Sequence, residues 1–308
     1  MNYSPHTIEI EISNLCNANC VFCKNKDLGR EKGFMSLDLF KKSLEQLGKL
    51  KLNNIFNIKS NTNDFPKIVF AGLGEPLLNP SVFEMIRMTK ENGFYVSLVT
   101  NGIVLNQENA IKLIDCGVNE IAISLHSLNS QIYHTITGVD LSLFLPSMEM
   151  ALNILDDSAV KVSIWRIYHP SKNIRDSVED NKKFDNFIRK HKINEVLGPS
   201  EPWERDGVVK DCVYKKTEDK YCWCHKIPFT FNIDYMGDNI LCCVDYNRKT
   251  VNLGNVLTDD INVLYNNKIK FLSLRQNERP SICKNCKRWK DTEIDLIKQN
   301  YNMGDLNL

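Results

Sequence analysis

The sequence predicts an α/β fold: a partial, open (β/α)6 barrel followed by a small unit built on a β-hairpin and a helix. Three observations predict it. Short apolar runs alternate with amphipathic stretches between residues 7 and 200, as parallel strands with helical crossovers require. The alternation repeats six times, which suits an open barrel better than a closed one of eight units. Near residue 200 the pattern breaks, and a polar, irregular stretch gives way to two alternating runs joined by "YMGD" (235–238).

In chain order, "TIEIEIS" (7–13) alternates strictly and reads as the first strand. "SLDLFKKSLEQLGKL" (36–50) has helical spacing, and "KIVFAG" (67–72) is a short buried strand. "NPSVFEMIRMTKENG" (79–93) reads as a helix with Asn79 as N-cap, Pro80 at the first position and Gly93 past the end. "YVSLVTNG" (95–102) is a strand with a turn, "ENAIKLIDCG" (108–117) a helix ending at glycine, and "EIAISLHS" (120–127) a strand. A helix over 146–157, a strand over 160–168, a helix over 179–191 and a last strand over 193–200 complete the barrel. The boundaries follow: barrel 1–200, linker 201–221, C-terminal unit 222–290 and tail 291–308. In the C-terminal unit, "PFTFNIDYMGDNILCCVD" (228–245) reads as a hairpin and 259–276 as a helix.

The formal net charge is +1, so a phosphate-tracking surface and a nucleic-acid partner are not expected. The opening "MNYSPHTIEIEIS" has neither a basic nor an apolar leader region, and no apolar run approaches the roughly 20 residues of a membrane span. A cytoplasmic protein without membrane contact is expected. Eleven cysteines are many for such a chain. A reducing compartment disfavours disulfides, so clustered thiols point to metal ligands or reactive groups.

The first cluster is "LCNANCVFCKN" (15–25), spaced C-x3-C-x2-C. A structural zinc ion takes four protein ligands, so three cysteines leave it one short unless a remote residue completes the set. A 4Fe-4S cube has four irons, each needing an external ligand, so three cysteines leave one iron open. With this spacing the chain resembles the radical S-adenosylmethionine (radical SAM) enzymes. Their signature sits just after the first strand of a TIM-like partial barrel, with an aromatic residue before the third cysteine, the place of Phe22. The resemblance implies that Cys16, Cys20 and Cys23 hold a 4Fe-4S cluster whose open iron binds S-adenosylmethionine. It further implies reductive cleavage to a 5′-deoxyadenosyl radical, which takes a hydrogen atom from a C–H bond.

"GLGEP" (72–76) is similar to the family's Gly-Gly-Glu-Pro motif, which holds the methionine amino group. Close backbone approach needs glycine, and an ammonium needs acceptors. Leu73 stands where a second glycine is usual, so Gly74, Glu75 and Pro76 align with the motif. Asn101 and Ser124 end later strands where the family places polar contacts to the cofactor; a plain Asn-Gly turn is the alternative for Asn101. Arg166, charged within an apolar strand, is expected to point inward to a carboxylate of cofactor or substrate, with a structural ion pair as the equal alternative. His126 either meets substrate or simply packs.

Cys224, Gly237, Cys242 and the C-x2-C of Cys283 and Cys286 resemble the SPASM/Twitch extension of this family. No cysteine follows Cys286, which matches the shorter Twitch form. The resemblance implies one auxiliary 4Fe-4S cluster on Cys224, Cys242, Cys283 and Cys286, with Cys222 and Cys243 as alternatives within each pair. A four-cysteine zinc ribbon is the competing reading. Neighbours on a strand point to opposite faces, so one of Cys242 and Cys243 is left over. A thiol is a good hydrogen-atom donor, and the epimerases resembled here use one. Epimerisation with Cys243 as the catalytic donor is therefore the expected reaction. The alternatives are alcohol oxidation with the auxiliary cluster as electron acceptor, as in 2-deoxy-scyllo-inosamine dehydrogenase, and peptide maturation. A non-catalytic zinc scaffold is the outsider. With nothing ahead of the barrel, the expected substrate is an amino sugar, a cyclitol or a short peptide. The expected reductant is a flavodoxin or ferredoxin. Glu201, Glu204, Arg205 and Asp206 lie where substrate should approach, or in a solvated linker.

Overall fold

The computed structural model describes residues 5–50, 67–200, 226–243, 245, 251–273, 278 and 283. The linker 201–221, the acidic and basic residues at 201–206, the tail 291–308, and Cys222, Cys224 and Cys286 lie outside the described residues.

The elements run β1 (Thr7–Ile10), α1 (Leu37–Lys49), β2 (Lys67–Phe70), α2 (Val82–Glu91), β3 (Tyr95–Thr100), α3 (Gln107–Asp115) and β4 (Glu120–Ser124). There follow α4 (Ser130–Thr137), α5 (Leu145–Asp156), β5 (Lys161–Ile167), α6 (Val178–Lys190) and β6 (Glu195–Ser200). The last are α7 (Lys226–Phe229), β7 (Thr230–Ile233) and α8 (Ile261–Ile269). The strands form one parallel sheet in the order β6-β5-β4-β3-β2-β1-β7, the partial barrel of the expected fold class. Among the described residues, no helix is long and apolar enough to cross a membrane.

Strand parity divides the sheet into two faces. Ile8, Ile10, Phe70, Leu98, Ile123 and Ile164 are fully buried and share one core with Phe40 of α1, Met85 of α2 and Phe184 of α6. The opposite face carries Glu9, Lys67, Ser97, Glu120 and Ser163, and there Lys67 Nζ reaches over β3 to Glu120 Oε2 at 2.6 Å. Trp165 and Leu197, paired across β5 and β6, remain exposed on this inner face.

Most helices begin where the sequence marks them. Ser36 caps α1, and Ser177 with Asp180 forms a capping box on α6. Three places differ. The helix expected from Asn79 begins at Val82, because Pro76–Leu78 forms its own short 3-10 turn first. Asn79 is instead a buried tie: its Nδ2 donates to Ile12 O at 2.8 Å and Met35 O at 3.1 Å. Helix α4 has no signal in the apolar pattern, since its short, β-branched run has weak helical propensity. Its ends are well marked, by Asn129 accepting from the Gln131 and Ile132 amides and by Gly138 at φ +71°.

The third difference is the hairpin. Its first arm, β7, pairs in parallel with β1, from Thr7↔Thr230 to Ile10↔Ile233, and closes what would otherwise be an open edge. The return arm keeps the reversal through the Ile233↔Asn239 bridge, then turns at 242–245, where Asp245 N donates to Cys242 O at 2.9 Å. Cys242 and Cys243 therefore enter a turn, and the strand-face rule for choosing between them does not hold.

Candidate active site

The cysteine loop leaves the top of β1 and is held on several sides. Asn14 is fully buried, with Nδ2 donating to Glu31 O at 2.8 Å and Oδ1 accepting from Gly33 N at 2.7 Å. Asn25 Nδ2 donates to Asn14 O at 2.7 Å and Leu73 O at 2.6 Å, which pins the loop's exit to the turn after β2. The middle of the loop rests on α4, where the amides of Asn19 and Val21 donate to Thr137 O (2.8 Å) and Ile136 O (2.9 Å). Those carbonyls belong to a helix end, where partners inside the helix run out.

Cys16, Cys20 and Cys23 are half-buried within this loop, and Cys23 N donates to Cys20 O at 3.0 Å. Burial, with the charge of Glu75 and of Cys23 beside it, raises the Cys16 thiol, and burial together with the charge of Cys23 and Cys16 pushes Cys20 up to about 12. Ionised together without a cation, the sulfurs would repel; metal binding reverses that logic by deprotonating a coordinating thiol outright. Among the described residues, no three ligating side chains converge closely enough for a single metal ion. A 4Fe-4S cube takes one external ligand per iron, so three thiols hold it and leave one iron open, whereas a structural zinc ion needs a fourth protein ligand.

Glu75 faces this loop from the turn after β2. Its Oε1 accepts from Leu77 N (3.1 Å) and Thr100 Oγ1 (2.8 Å), and its Oε2 from Asn101 N (2.7 Å). Burial nevertheless pushes the carboxyl up to about 7, against the lowering effect of those donors. Gly74 is required by contact: a Cβ there would lie 2.3 Å from Ser13 O and 2.6 Å from Leu15 O, both backbone atoms. At Gly72 a Cβ would meet Glu11 Cγ at 2.5 Å, so that position also demands glycine. Pro76 opens the 3-10 turn behind Glu75.

Asn101 Nδ2 donates to Asn17 Oδ1 at 2.7 Å and approaches Cys16 Sγ at 3.7 Å, so the side chain does more than make an Asn-Gly turn. Ser124 ends β4 half-buried on the inner face, in register with Trp165. Phe22 packs edge-on against His126, with ring centroids 5.3 Å apart. Arg166 departs from its expected inward orientation. It shares parity with Val162 and Ile164, lies 3.9 Å over the Phe184 ring of α6, and pairs with Asp176 at 2.8 Å, both side chains being buried. Glu11 and Thr100 join the site without belonging to any of its sequence motifs. Glu11 Oε1 pairs with Arg30 at 2.6 Å, while its Oε2 accepts from Leu73 N at 3.0 Å. An acidic residue inside the first strand and a threonine before "NG" were the available signals.

Of the C-terminal cysteines, Cys242 is half-buried, and Cys283 is buried against Ile227, Leu241 and Leu253. Cys243 is likewise half-buried.

The matched family models are the radical SAM superfamily over residues 10–180 and the SPASM iron–sulfur cluster-binding domain over 222–287. A tungsten-containing aldehyde ferredoxin oxidoreductase cofactor-modifying protein of Pyrococcus furiosus is 31% identical over 119 residues, 39% of this chain and 30% of that protein. The chain spans between 30% and 59% of the length of the first three curated relatives it matches. Among solved structures, BtrN in complex with AdoMet and 2-DOIA superposes with TM-score 0.59 at 18% identity, covering 93% of this chain and 94% of that one. Streptococcus suis SuiB bound to precursor peptide SuiA superposes with TM-score 0.64 at 16% identity, covering 96% and 73%. With its cysteine loop, its Gly-Glu-Pro turn and a family model matched over more than half its length, the chain belongs to the radical SAM superfamily, with a 4Fe-4S cluster, S-adenosylmethionine and an auxiliary cluster as its cofactors.

Proposed function

We propose that this chain removes a hydrogen atom from a C–H bond of an amino sugar, cyclitol or short peptide, and inverts that carbon with Cys243 as hydrogen-atom donor. The abstraction half rests on one observation above the others: three half-buried thiols in the loop after β1 and a buried carboxylate, Glu75, in the turn after β2 both lie at the C-terminal ends of the strands, where barrel enzymes place their chemistry. When bound, the cluster and S-adenosylmethionine supply a 5′-deoxyadenosyl radical as the abstracting agent. Within the chain, Glu75 offers its carboxylate to the cofactor's ammonium, and Gly74 lets the turn lie flat against the cysteine loop. Trp165 and Leu197 give substrate an apolar wall beside Ser124. The substrate classes are supported by the neighbours of like fold, one solved with 2-DOIA and one with a peptide.

The inversion half is supported by Cys243, a half-buried thiol next to a cluster-ligand candidate. Its S–H bond breaks as a new C–H bond forms on the opposite face. The sulfur then regains one electron and one proton, the electron coming from a flavodoxin- or ferredoxin-class reductant. Turnover of candidate amino sugars and peptides in deuterated water is expected to place deuterium at the inverted carbon, and Cys243→Ala to lose that product. Inverted product without label would contradict the assignment. A ketone or aldehyde formed equally well by Cys243→Ala would assign alcohol oxidation instead.

A further inference from the structure

Strand β6 ends the sheet on the side away from β7. Its ladder to β5 fixes which backbone groups are already used. Asn194 N donates to Val162 O at 2.9 Å, and the register runs Ser163↔Glu195, Ile164↔Val196 and Trp165↔Leu197. The amide and carbonyl of one strand residue point to the same side, and successive residues alternate. Asn194 and Val196 therefore turn theirs to β5, and Glu195 and Leu197 turn theirs to the free edge. Among the described residues, no strand lies beyond them. Past Leu197 the ladder shifts register, Gly198 takes φ +102°, and Pro199 offers no N–H. The stretch able to pair is thus Glu195–Leu197.

Both faces of this edge are open. On the inner face, register sets Ser124, Trp165 and Leu197 in one row, with Trp165 39% and Leu197 43% exposed. On the outer face, a cleft of about 460 Å3 lies between β6 and α6. Phe184, Ile188 and Val196 give it apolar walls, and Gly198 leaves room at one end. Asp185 and Arg189 bring one charge of each sign, and the Arg166 charge is met by Asp176. The cleft therefore suits an uncharged side chain. Alternating backbone donors and acceptors are matched by an extended polypeptide; an amino sugar or cyclitol has no such repeat.

We propose that the free edge of β6 is a peptide-recognition subsite. An extended segment of the substrate adds to Glu195–Leu197 as a further strand, with alternate side chains in the α6 cleft and against Leu197 and Trp165. The proposal rests on the hydrogen-abstraction reading above and narrows its substrate to a peptide. Neighbouring strands lie about 4.8 Å apart, so the added strand is about 14 Å along the sheet from Ser124, the candidate cofactor contact. About four extended residues span that distance. The reacting carbon then belongs to a residue about four positions along the peptide from the held segment.

The test sets the anaerobically reconstituted full chain against a displayed library of short random peptides. Enriched peptides are synthesised, and amide hydrogen exchange of the β6 segment is followed with and without them. Enriched peptides should show apolar residues at every second position and slow exchange at Glu195 and Leu197 by about tenfold or more. N-methylation of alternate peptide amides should weaken binding by about tenfold or more on one parity and by less than about threefold on the other, because only one set faces β6. Glu195→Pro removes an edge N–H and leaves the β5 ladder intact, so it should raise Kd about five- to tenfold; Glu195→Ala should bind within about twofold of the unaltered protein. No enriched peptide, binding indifferent to N-methylation of either parity, or edge amides left unprotected by the peptides would overturn the proposal. Edge amides already protected in the peptide-free chain would place the chain itself or a second copy on β6, and would overturn it too. Reductive formation of 5′-deoxyadenosine, measured on the same preparation, separates the two readings. A chain that forms it yet holds no peptide on β6 loses only the edge assignment, whereas a chain that forms none loses the abstraction reading and the proposal with it.

Discussion

Cys20→Ala is expected to lower reductive formation of 5′-deoxyadenosine by about a thousandfold or more, a barrier change of about 4 kcal/mol. The protein should stay folded. Cys20 lies in a half-buried loop whose backbone is held by Asn14, Asn25 and the carbonyls of α4, and none of those bonds uses its sulfur. Removing one of three thiols leaves two irons of the cube without protein ligands instead of one. Iron content should fall by one cluster's share, while the thermal transition moves by no more than an ordinary surface-loop substitution moves it. Chromatographic assay of 5′-deoxyadenosine beside iron analysis reads both effects. More than about a tenth of the normal product from Cys20→Ala would contradict the assignment of the loop.

Glu75→Gln should weaken S-adenosylmethionine binding by about thirtyfold or more, the usual cost of removing one partner of a buried charge pair. It should also flatten the pH dependence of that binding. In the unaltered protein, burial raises the carboxyl from 4.5 to about 7. The ammonium prefers the ionised carboxylate, so affinity should fall as pH drops below about 7, approaching tenfold per unit. Stability of the cofactor-free chain runs the other way. A carboxyl whose folded pKa is raised binds more protons folded than unfolded, so its contribution is fullest below 4.5 and declines as pH rises to about 7, by about 3 kcal/mol in all. In the glutamine variant the amide nitrogen would face the Asn101 N–H, donor against donor, and the pH trend should vanish. Calorimetric titration of S-adenosylmethionine at about pH 6 and about pH 8 checks both the size and the sign. Equal affinity at the two pH values in the unaltered protein would remove Glu75 from this role.

How much of this was legible in advance depended on distance along the chain. The cysteine triplet and Gly74-Glu75-Pro76 are local patterns whose chemistry is carried by spacing, and the barrel follows from a repeating apolar rhythm. Thr100 and Asn101 complete the Glu75 site from 25 and 26 residues away, which no local pattern shows. Arg166 shows what residue type alone leaves open: its charge allowed an inward carboxylate ligand or a structural ion pair equally, and its parity with Val162 and Ile164 places it against α6, paired with Asp176. The run 228–245 has the alternation and turn of a hairpin, yet β7 pairs with β1 more than 200 residues earlier, since a free parallel edge competes with the local partner. Helix α4 could have been found from its caps, Asn129 and Gly138, although its β-branched interior hides it.

The central claim is that Cys16, Cys20 and Cys23 hold a 4Fe-4S cluster with one iron left for S-adenosylmethionine. It is tested most directly on the full chain with Cys224, Cys242, Cys283 and Cys286 replaced by alanine, so that any remaining cluster belongs to the loop. About four irons and four sulfides per chain are expected after anaerobic reconstitution, with a paramagnetic resonance signal of the reduced cluster that shifts when S-adenosylmethionine is added. A colourless, zinc-bearing protein, or a cluster signal indifferent to S-adenosylmethionine, would contradict it.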